Sequence, residues 1–368
     1  MNSCALYKAL FMFLECNTLC VLCVFDIFKV YRNNDDDGGK TMEKVAIVNV
    51  KSFGREFPEF ISELEEKIGY VEKFMFPQDA SQEELAEKLA GFQYIILGND
   101  PTFKSRFFEL NHDVKLIARH GLGFNNVDLE SAKKHNVYVT KEENIIEQDA
   151  VAEHAVALLN TVAKNIHTAN EMVQTGEWGV RRERLMGYQL RDKVTGVIGY
   201  GNIGRRFGEI MKYGYKNRIL AYDPYLPKEK EEELGIELVS LEDLLKNADF
   251  ISMHCNLTEE NKHMINAETL KMVKKGAVLI NCARGALVDD QAVADAVKER
   301  TLFGYGADVC SQEPIHADNP LLRQDHIVLT PHVSVYNLTC TRNMNRKVME
   351  DIYLVAEGKK PNVIVNGL

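Results

Sequence analysis

The sequence predicts an α/β protein whose core is a doubly wound parallel sheet, and three observations predict it. Apolar runs of strand length alternate with helical patterns along most of the chain. A glycine triplet, Gly199-Tyr200-Gly201-Asn202-Ile203-Gly204, falls directly between a strand pattern and a helix-forming segment. Polar residues recur at the carboxyl ends of the later buried strands, the edge at which doubly wound sheets bind ligands.

At 368 residues the chain outgrows one ordinary core and suits two domains with a cleft between them. Its 45% hydrophobic and 27% charged residues are those of a soluble globular protein rather than a disordered one. Forty-four Lys and Arg against 54 Asp and Glu give a formal charge of -10, and no basic run could track a phosphate backbone, so no nucleic acid partner is expected. Four of the eight cysteines, Cys255, Cys282, Cys310 and Cys340, are scattered late without zinc spacing. Isolated thiols fit a reducing compartment, so a cytoplasmic protein without a structural metal is expected.

Residues 1–41 differ in character from the rest of the chain. An apolar, Cys-rich stretch runs from Ala5 to Val30 and leads into Asn33-Asn34-Asp35-Asp36-Asp37-Gly38-Gly39. Lys8, Glu15, Asn17 and Asp26 interrupt it, so no run long enough to span a bilayer exists and no membrane association is expected. Cys16, Cys20 and Cys23 also match the spacing of an iron–sulfur motif. The expectation we adopt is an atypical extension, disordered or arising from a mis-assigned start, because Met42 is succeeded at once by the strand Val45-Ala46-Ile47-Val48-Asn49-Val50.

After Met42 the first series comprises the strand Val45 to Val50, a helical pattern from Phe60 to Ile68, and strands Tyr94 to Leu97 and Val114 to Ala118. A long helical stretch from Val151 to Thr175 comes next. The second series has six candidate strands: Val194 to Ile198, Ile219 to Tyr222, Phe250 to Met253, Ala277 to Asn281, Gly306 to Val309 and Ile327 to Leu329. A helix from Arg342 to Glu357 closes the chain, stopped by Gly358 with Pro361 just beyond.

A glycine triplet alone is weak evidence, and its context carries the argument. Gly199 permits the tight turn, Gly201 lets backbone approach a pyrophosphate, and Gly204 lets the helix pack close to the strand. Asn202 and Ile203 then supply free helical N–H groups. Asp223 ends the next strand, where a carboxylate can accept from ribose hydroxyls and repel a 2'-phosphate. Pro224 and Tyr225 offer no Arg for that phosphate, which favours NAD over NADP. The plain alternative is Asp223 as a turn former before Pro224.

Downstream, the segments containing Ala283 and Arg284, then Asp308 and Glu313, then Pro331 and His332, each succeed a buried strand. An α-keto acid needs a cation on its carboxylate, and a guanidinium supplies two parallel hydrogen bonds, which points to Arg284. Reduction of the ketone needs a proton donor titrating near neutrality, which points to His332, with Glu313 as the carboxylate that orients and charges it. Singly, these residues also read as a surface ion pair, an acid before Pro314 and a core histidine. Their order along one sheet edge argues for chemistry.

Together these motifs resemble the D-isomer-specific 2-hydroxyacid dehydrogenase family over nearly all of Met42 to Leu368. The resemblance implies a Rossmann-type NAD-binding domain of residues 148–331 inserted into a flavodoxin-like substrate domain of residues 42–147 and 332–368. It implies that Arg284 binds substrate, Glu313 and His332 form the acid–base pair, Asp308 meets the nicotinamide carboxamide, and Ala283 lies among the cofactor contacts. Gly121 and Gly123 match the loop whose backbone N–H groups meet the substrate carboxylate. A homodimer that interconverts a small 2-keto acid and its D-2-hydroxy acid is therefore expected. Alternatives are a phosphoglycerate dehydrogenase-like enzyme or a non-catalytic NAD(H)-sensing protein of the same fold.

The chain departs from the family pattern at Asn125, at Asn256 and in Val333-Ser334-Val335-Tyr336-Asn337. Gly98-Asn99-Asp100-Pro101-Thr102 replaces an arginine-containing phosphate loop and argues against a phosphorylated substrate, although Arg119 and His120 could restore positive charge.

Overall fold

A computed structural model describes residues 42–368; the expectations for residues 1–41, the Cys16, Cys20 and Cys23 spacing among them, lie outside the described residues. Two sheets organise the rest. The first has five strands: β1 (Glu43–Val48), β2 (Gly69–Phe74), β3 (Tyr94–Leu97), β4 (Leu116–Arg119) and β5 (Tyr138–Thr140) in the order β2-β1-β3-β4-β5. β1, β3, β4 and β5 pair in parallel. The order is that of a flavodoxin-like doubly wound sheet, with its switch point between β1 and β3. Helices α1 (Glu59–Lys67), α2 (Gln82–Lys88), α3 (Ser105–Leu110) and α4 (Leu129–Lys134) connect the strands.

β2 and β5 escape the sequence pattern for a physical reason. β2 is only partly buried and carries Glu72 and Lys73, while β5 is three residues long. Neither gives the apolar run that marks β3 and β4, which are buried at every position.

From the first sheet the chain runs into α5 (Asn144–Ala163) and α6 (Ile166–Gln174). The single stretch expected from Val151 to Thr175 is therefore two helices, the first beginning seven residues earlier. Asn165 separates them with φ +52°, a left-handed conformation that Asn tolerates, and its amide donates to the Met186 carbonyl. α5 is apolar on several sides, packing Val151, Ala155, Leu158 and Val162 against Val278 and Ile280 of the second sheet.

The second sheet has seven strands: β6 (Val194–Ile198), β7 (Arg218–Tyr222), β8 (Glu237–Leu238), β9 (Phe250–Met253), β10 (Ala277–Asn281), β11 (Leu302–Ala307) and β12 (Ile327–Leu329), ordered β12-β11-β10-β9-β6-β7-β8 and parallel throughout. This is the 3-2-1-4-5-6 order of a Rossmann sheet with one further strand at the β12 edge. The sequence predicts six strands. The seventh, β8, is a two-residue edge strand too short to show alternation. α7 (Asn202–Glu209) comes after β6, and α8 (Lys230–Leu234), α9 (Leu241–Asn247), α10 (Ala267–Leu270) and α11 (Asp290–Lys298) complete the set along this sheet.

The chain then returns to the first sheet. α12 (Leu338–Ala356) begins four residues before the expected Arg342 because the Asn337 side chain accepts from the Cys340 N–H and caps it. Val348, Met349 and Ile352 are fully buried against Val45, Ile47, Tyr94 and Leu116, each such burial contributing about 1.5–3 kcal/mol. Beyond α12, Ile364 bridges Thr140 and the Val365 N–H donates to the Val139 carbonyl, which closes the C-terminus onto β5. Among the described residues no helix is long and apolar enough to cross a membrane.

Candidate active site

The glycine turn leaves β6 at its carboxyl end. Gly199 sits at φ +87°, and a Cβ there would lie 2.7 Å from the Cys255 backbone nitrogen. A Cβ on Gly204 would lie 2.0 Å from the Gly199 carbonyl oxygen, so α7 packs directly on the turn. Around Gly201 the reverse holds, with nothing within 4 Å of an added Cβ. The turn is closed toward the protein and open toward solvent at the start of α7, where Asn202 is exposed and Ile203 half-buried. Free N–H groups and the helix dipole make that opening a fit for a pyrophosphate. Asp223, after β7, accepts from the Tyr200 N–H at 2.8 Å and from the Tyr225 N–H at 2.9 Å. Its carboxylate thus ties the turn to the neighbouring strand end.

Three loops bring the polar residues together. Beyond β10, the Asn281 side chain accepts from the Ala283 N–H and donates to the Arg284 carbonyl, fixing the bend that turns Arg284 outward. Gly285 packs so tightly that a Cβ would overlap the Cys310 carbonyl at 1.9 Å, which sets this bend against the loop after β11. That loop carries Glu313, whose Oε1 accepts from the Cys310 N–H at 3.1 Å and whose Oε2 lies 2.7 Å from His332 Nδ1.

The pair is electrostatically matched. The hydrogen bond to Glu313 raises the His332 pKa above its ordinary value; burial and the Arg284 charge work against this, while the charges of Glu313 and Asp308 add to it. Burial alone would raise Glu313, but the His332 hydrogen bond and charge, the Cys310 N–H and Arg284 hold it below the usual carboxylate range.

Asp308 is buried, and its carboxylate is filled by the 330–334 loop. Oδ1 accepts from Thr330 Oγ1 at 2.6 Å and the Val333 N–H at 2.9 Å, and Oδ2 from the Ser334 N–H at 2.8 Å. The Asp308 carbonyl accepts from the His332 N–H at 2.8 Å. His332 itself holds φ +54°, a conformation sustained by these surrounding bonds. The carboxylate expected to face a nicotinamide therefore fastens the loop that presents His332.

Opposite these loops stands Gly121-Leu122-Gly123, after β4, with Gly121 at φ +147°. Arg119 beneath it is 1% exposed, donating Nε to the Gly123 carbonyl and Nη1 to the Leu97 and Gly98 carbonyls. His120 is bonded to Asn345, and burial pushes its pKa down to about 4, so it is neutral near pH 7. Arg284 approaches the same loop, its Nη2 3.8 Å from a Cβ placed on Gly123. One further group escapes the sequence pattern: Glu147, in the first turn of α5, accepts the Leu122 N–H at 3.1 Å. The apolar periodicity starts this helix only at Val151, which leaves Glu147 outside it. Among the described residues, no group of three or more His, Cys, Asp or Glu could hold a metal ion.

Residues 156–334 match the family model for the D-isomer specific 2-hydroxyacid dehydrogenase NAD binding domain. The chain is 34% identical over 318 residues to a glyoxylate reductase of Korarchaeum cryptofilum, spanning 85% of this chain and 94% of that one. It is likewise 34% identical over 302 residues to a D-3-phosphoglycerate dehydrogenase of Methanocaldococcus jannaschii, spanning 82% of this chain and 56% of the relative. Among solved structures, apo D-lactate dehydrogenase from Escherichia coli superposes with a TM-score of 0.75 at 30% identity, covering 87% of this chain and 99% of that one.

Proposed function

Because the chain belongs to the D-isomer specific 2-hydroxyacid dehydrogenase family and its residues 156–334 match that family's NAD binding domain, we propose that it reduces a small, unphosphorylated 2-keto acid to the D-2-hydroxy acid. Arg284, Glu313 and His332 are its working residues in this reading, residues 148–331 its NAD-binding domain, and residues 42–147 with 332–368 its substrate domain. The observation that carries it is the 2.7 Å His332–Glu313 pair beside Arg284 at one sheet edge.

The turn Gly199 to Gly204 with the start of α7 would hold the cofactor pyrophosphate, Asp223 the ribose hydroxyls, and Ala283 and the Asp308 loop would border the nicotinamide. NADH, when bound, supplies the hydride. Arg284 grips the substrate carboxylate through two hydrogen bonds and draws electron density from the adjacent carbonyl. Backbone N–H groups of the Gly121-Leu122-Gly123 loop take the lone pairs that the guanidinium leaves free on the carboxylate. With Nδ1 committed to Glu313, Nε2 of His332 is the nitrogen that gives its proton to the carbonyl oxygen as it gains charge. Glu313 steadies the imidazolium beforehand, and in the oxidative direction the neutral imidazole takes the hydroxyl proton back.

The preference for an unphosphorylated acid is supported by Arg119 and His120, the nearby cationic candidates. Arg119 is buried with its donors turned to the Gly123, Leu97 and Gly98 carbonyls and the Asn99 side chain, and His120 is neutral near pH 7, so neither is presented to grip a phosphate. We extend the reading to a homodimer on the family's precedent, and to the cytoplasm on the free thiols Cys255, Cys282, Cys310 and Cys340.

The test is NADH oxidation with glyoxylate, pyruvate, hydroxypyruvate, branched and aromatic 2-keto acids, and 3-phosphohydroxypyruvate. At least one unphosphorylated acid is expected to react faster than the phosphorylated one. A preference for 3-phosphohydroxypyruvate overturns the substrate class, and no turnover with NADH bound overturns catalysis.

A further inference from the structure

Glu147 is 7% exposed and stands at the Gly121-Leu122-Gly123 loop, to which the proposed function assigns the substrate carboxylate. Its Oε1 accepts the Leu122 N–H at 3.1 Å and would lie 3.9 Å from a Cβ on Gly121, while Arg284 closes the Gly123 end of the same loop. Arg284, His332 and Arg119 all act on its charge. A backbone N–H together with a guanidinium and an imidazolium is the set of partners an incoming 2-keto acid needs for its own carboxylate.

We propose that Glu147 is a resident carboxylate occupying the anion corner of the substrate pocket, which an incoming substrate carboxylate has to displace, so that Glu147 determines which acids bind and how tightly. The proposal rests on the reading of Leu122 and Arg284 as the substrate-carboxylate site. Two carboxylates cannot share one N–H and one guanidinium without repulsion in a site of reduced dielectric. The pocket therefore admits an anion when Glu147 is protonated or turned aside, and a protonated Glu147 can donate to the carboxylate that replaces it. A second negative charge on the substrate meets the same repulsion twice, which selects small monoanions.

The surroundings give this site a pH dependence. Burial raises the Glu147 pKa above its ordinary value, against the Leu122 N–H and the charges of Arg284, His332 and Arg119. The other titratable groups facing it are Glu142, buried just before α5, and Cys340 on α12, on both of which its charge acts. Below its raised pKa Glu147 is neutral and the corner open to an anion; as pH rises through that value the carboxylate ionises and affinity for substrate falls. A purely structural Glu147, tying α5 to the loop, makes no such demand.

The experiment measures oxamate, an unreactive analogue of a small 2-keto acid, binding to the NADH-saturated protein from pH 5 to 8.5. Wild type, Glu147→Gln, Glu147→Asn and Arg284→Ala are compared. The glutamine keeps an oxygen for the Leu122 N–H and removes the charge. It is expected to bind oxamate about fivefold or more tightly than wild type at pH 8, with the ratio shrinking toward one as the pH falls. Glu147→Asn is expected to show the same gain, so a folding failure in one variant leaves the other to decide. Equal or weaker affinity at pH 8, or a ratio that does not change with pH, overturns the proposal. Oxamate that binds wild type and is lost in Arg284→Ala upholds the carboxylate site independently; oxamate that binds none of the four proteins overturns that site and the proposal with it.

Discussion

His332 Nδ1 lies 2.7 Å from Glu313 Oε2, although the two residues are 19 apart in the chain and stand on separate loops. The contact depends on two anchors. The Cys310 N–H holds the other Glu313 oxygen, and the Asp308 carbonyl and carboxylate hold the backbone N–H groups of His332 and of the two residues after it. The contact is set by the loops themselves, which is the preorganisation that the proposed proton transfer needs.

That bond dictates a pH profile. Glu313 raises the His332 pKa, so the imidazolium persists to higher pH than in a free histidine. Reduction is expected to hold steady at low pH and to fall as pH rises through the raised value; oxidation of the hydroxy acid shows the opposite trend. Glu313→Gln moves the fall to lower pH and costs about ten- to a hundredfold in kcat/KM at pH 7.5. Profiles of kcat/KM for both proteins decide the matter, and an unmoved inflection removes Glu313 from its role.

The ribose role proposed for Asp223 makes it the selector of the cofactor, and its two backbone bonds dictate how to test it. Removing the side chain outright would release the Tyr200 and Tyr225 N–H groups along with the charge. Asp223→Ser with Tyr225→Arg keeps an acceptor for the turn, deletes the repulsion and places a cation at an exposed position. The NADPH-to-NADH ratio of kcat/KM is expected to rise about tenfold or more. No rise assigns Asp223 to the turn alone.

Asp308 tests the loop that presents His332. Asp308→Ala strands the Val333 and Ser334 N–H groups and the Thr330 hydroxyl around a small void, at a cost of about 2–5 kcal/mol in stability. Denaturant unfolding of the cofactor-free protein reads this directly. A loss under about 1 kcal/mol with full activity shows that the loop keeps its shape without the carboxylate.

How much of the molecule is legible in the sequence depends on the reach of each signal. Buried strands with four apolar residues in a row, such as Tyr94–Leu97 and Ala277–Asn281, announce themselves, and so does a turn whose glycines are close in the chain. Glu237–Leu238 is silent because two edge residues carry no periodicity, and Asn165 because a left-handed Asn breaks a helix without the punctuation of Gly or Pro. In the site, Arg284, Glu313 and His332 stand out by residue type and by their place after strands. The Leu122–Glu147 contact joins residues 25 apart across a loop and a helix start, and the Asp308 latch joins a strand end to a loop 25 residues on. Such contacts come into view only once the chain is folded.

Reduction of a small 2-keto acid with His332 as the proton donor is tested most directly by one comparison. It is the initial rate of NADH oxidation by wild type and His332→Ala with the most reactive unphosphorylated acid, with NADH binding and product configuration measured alongside. The expected result is turnover to the D-hydroxy acid by wild type and a loss of about a hundredfold to ten-thousandfold in His332→Ala, with NADH bound equally by both. Equal rates in the two proteins, or no turnover with any acid while NADH binds, would contradict it.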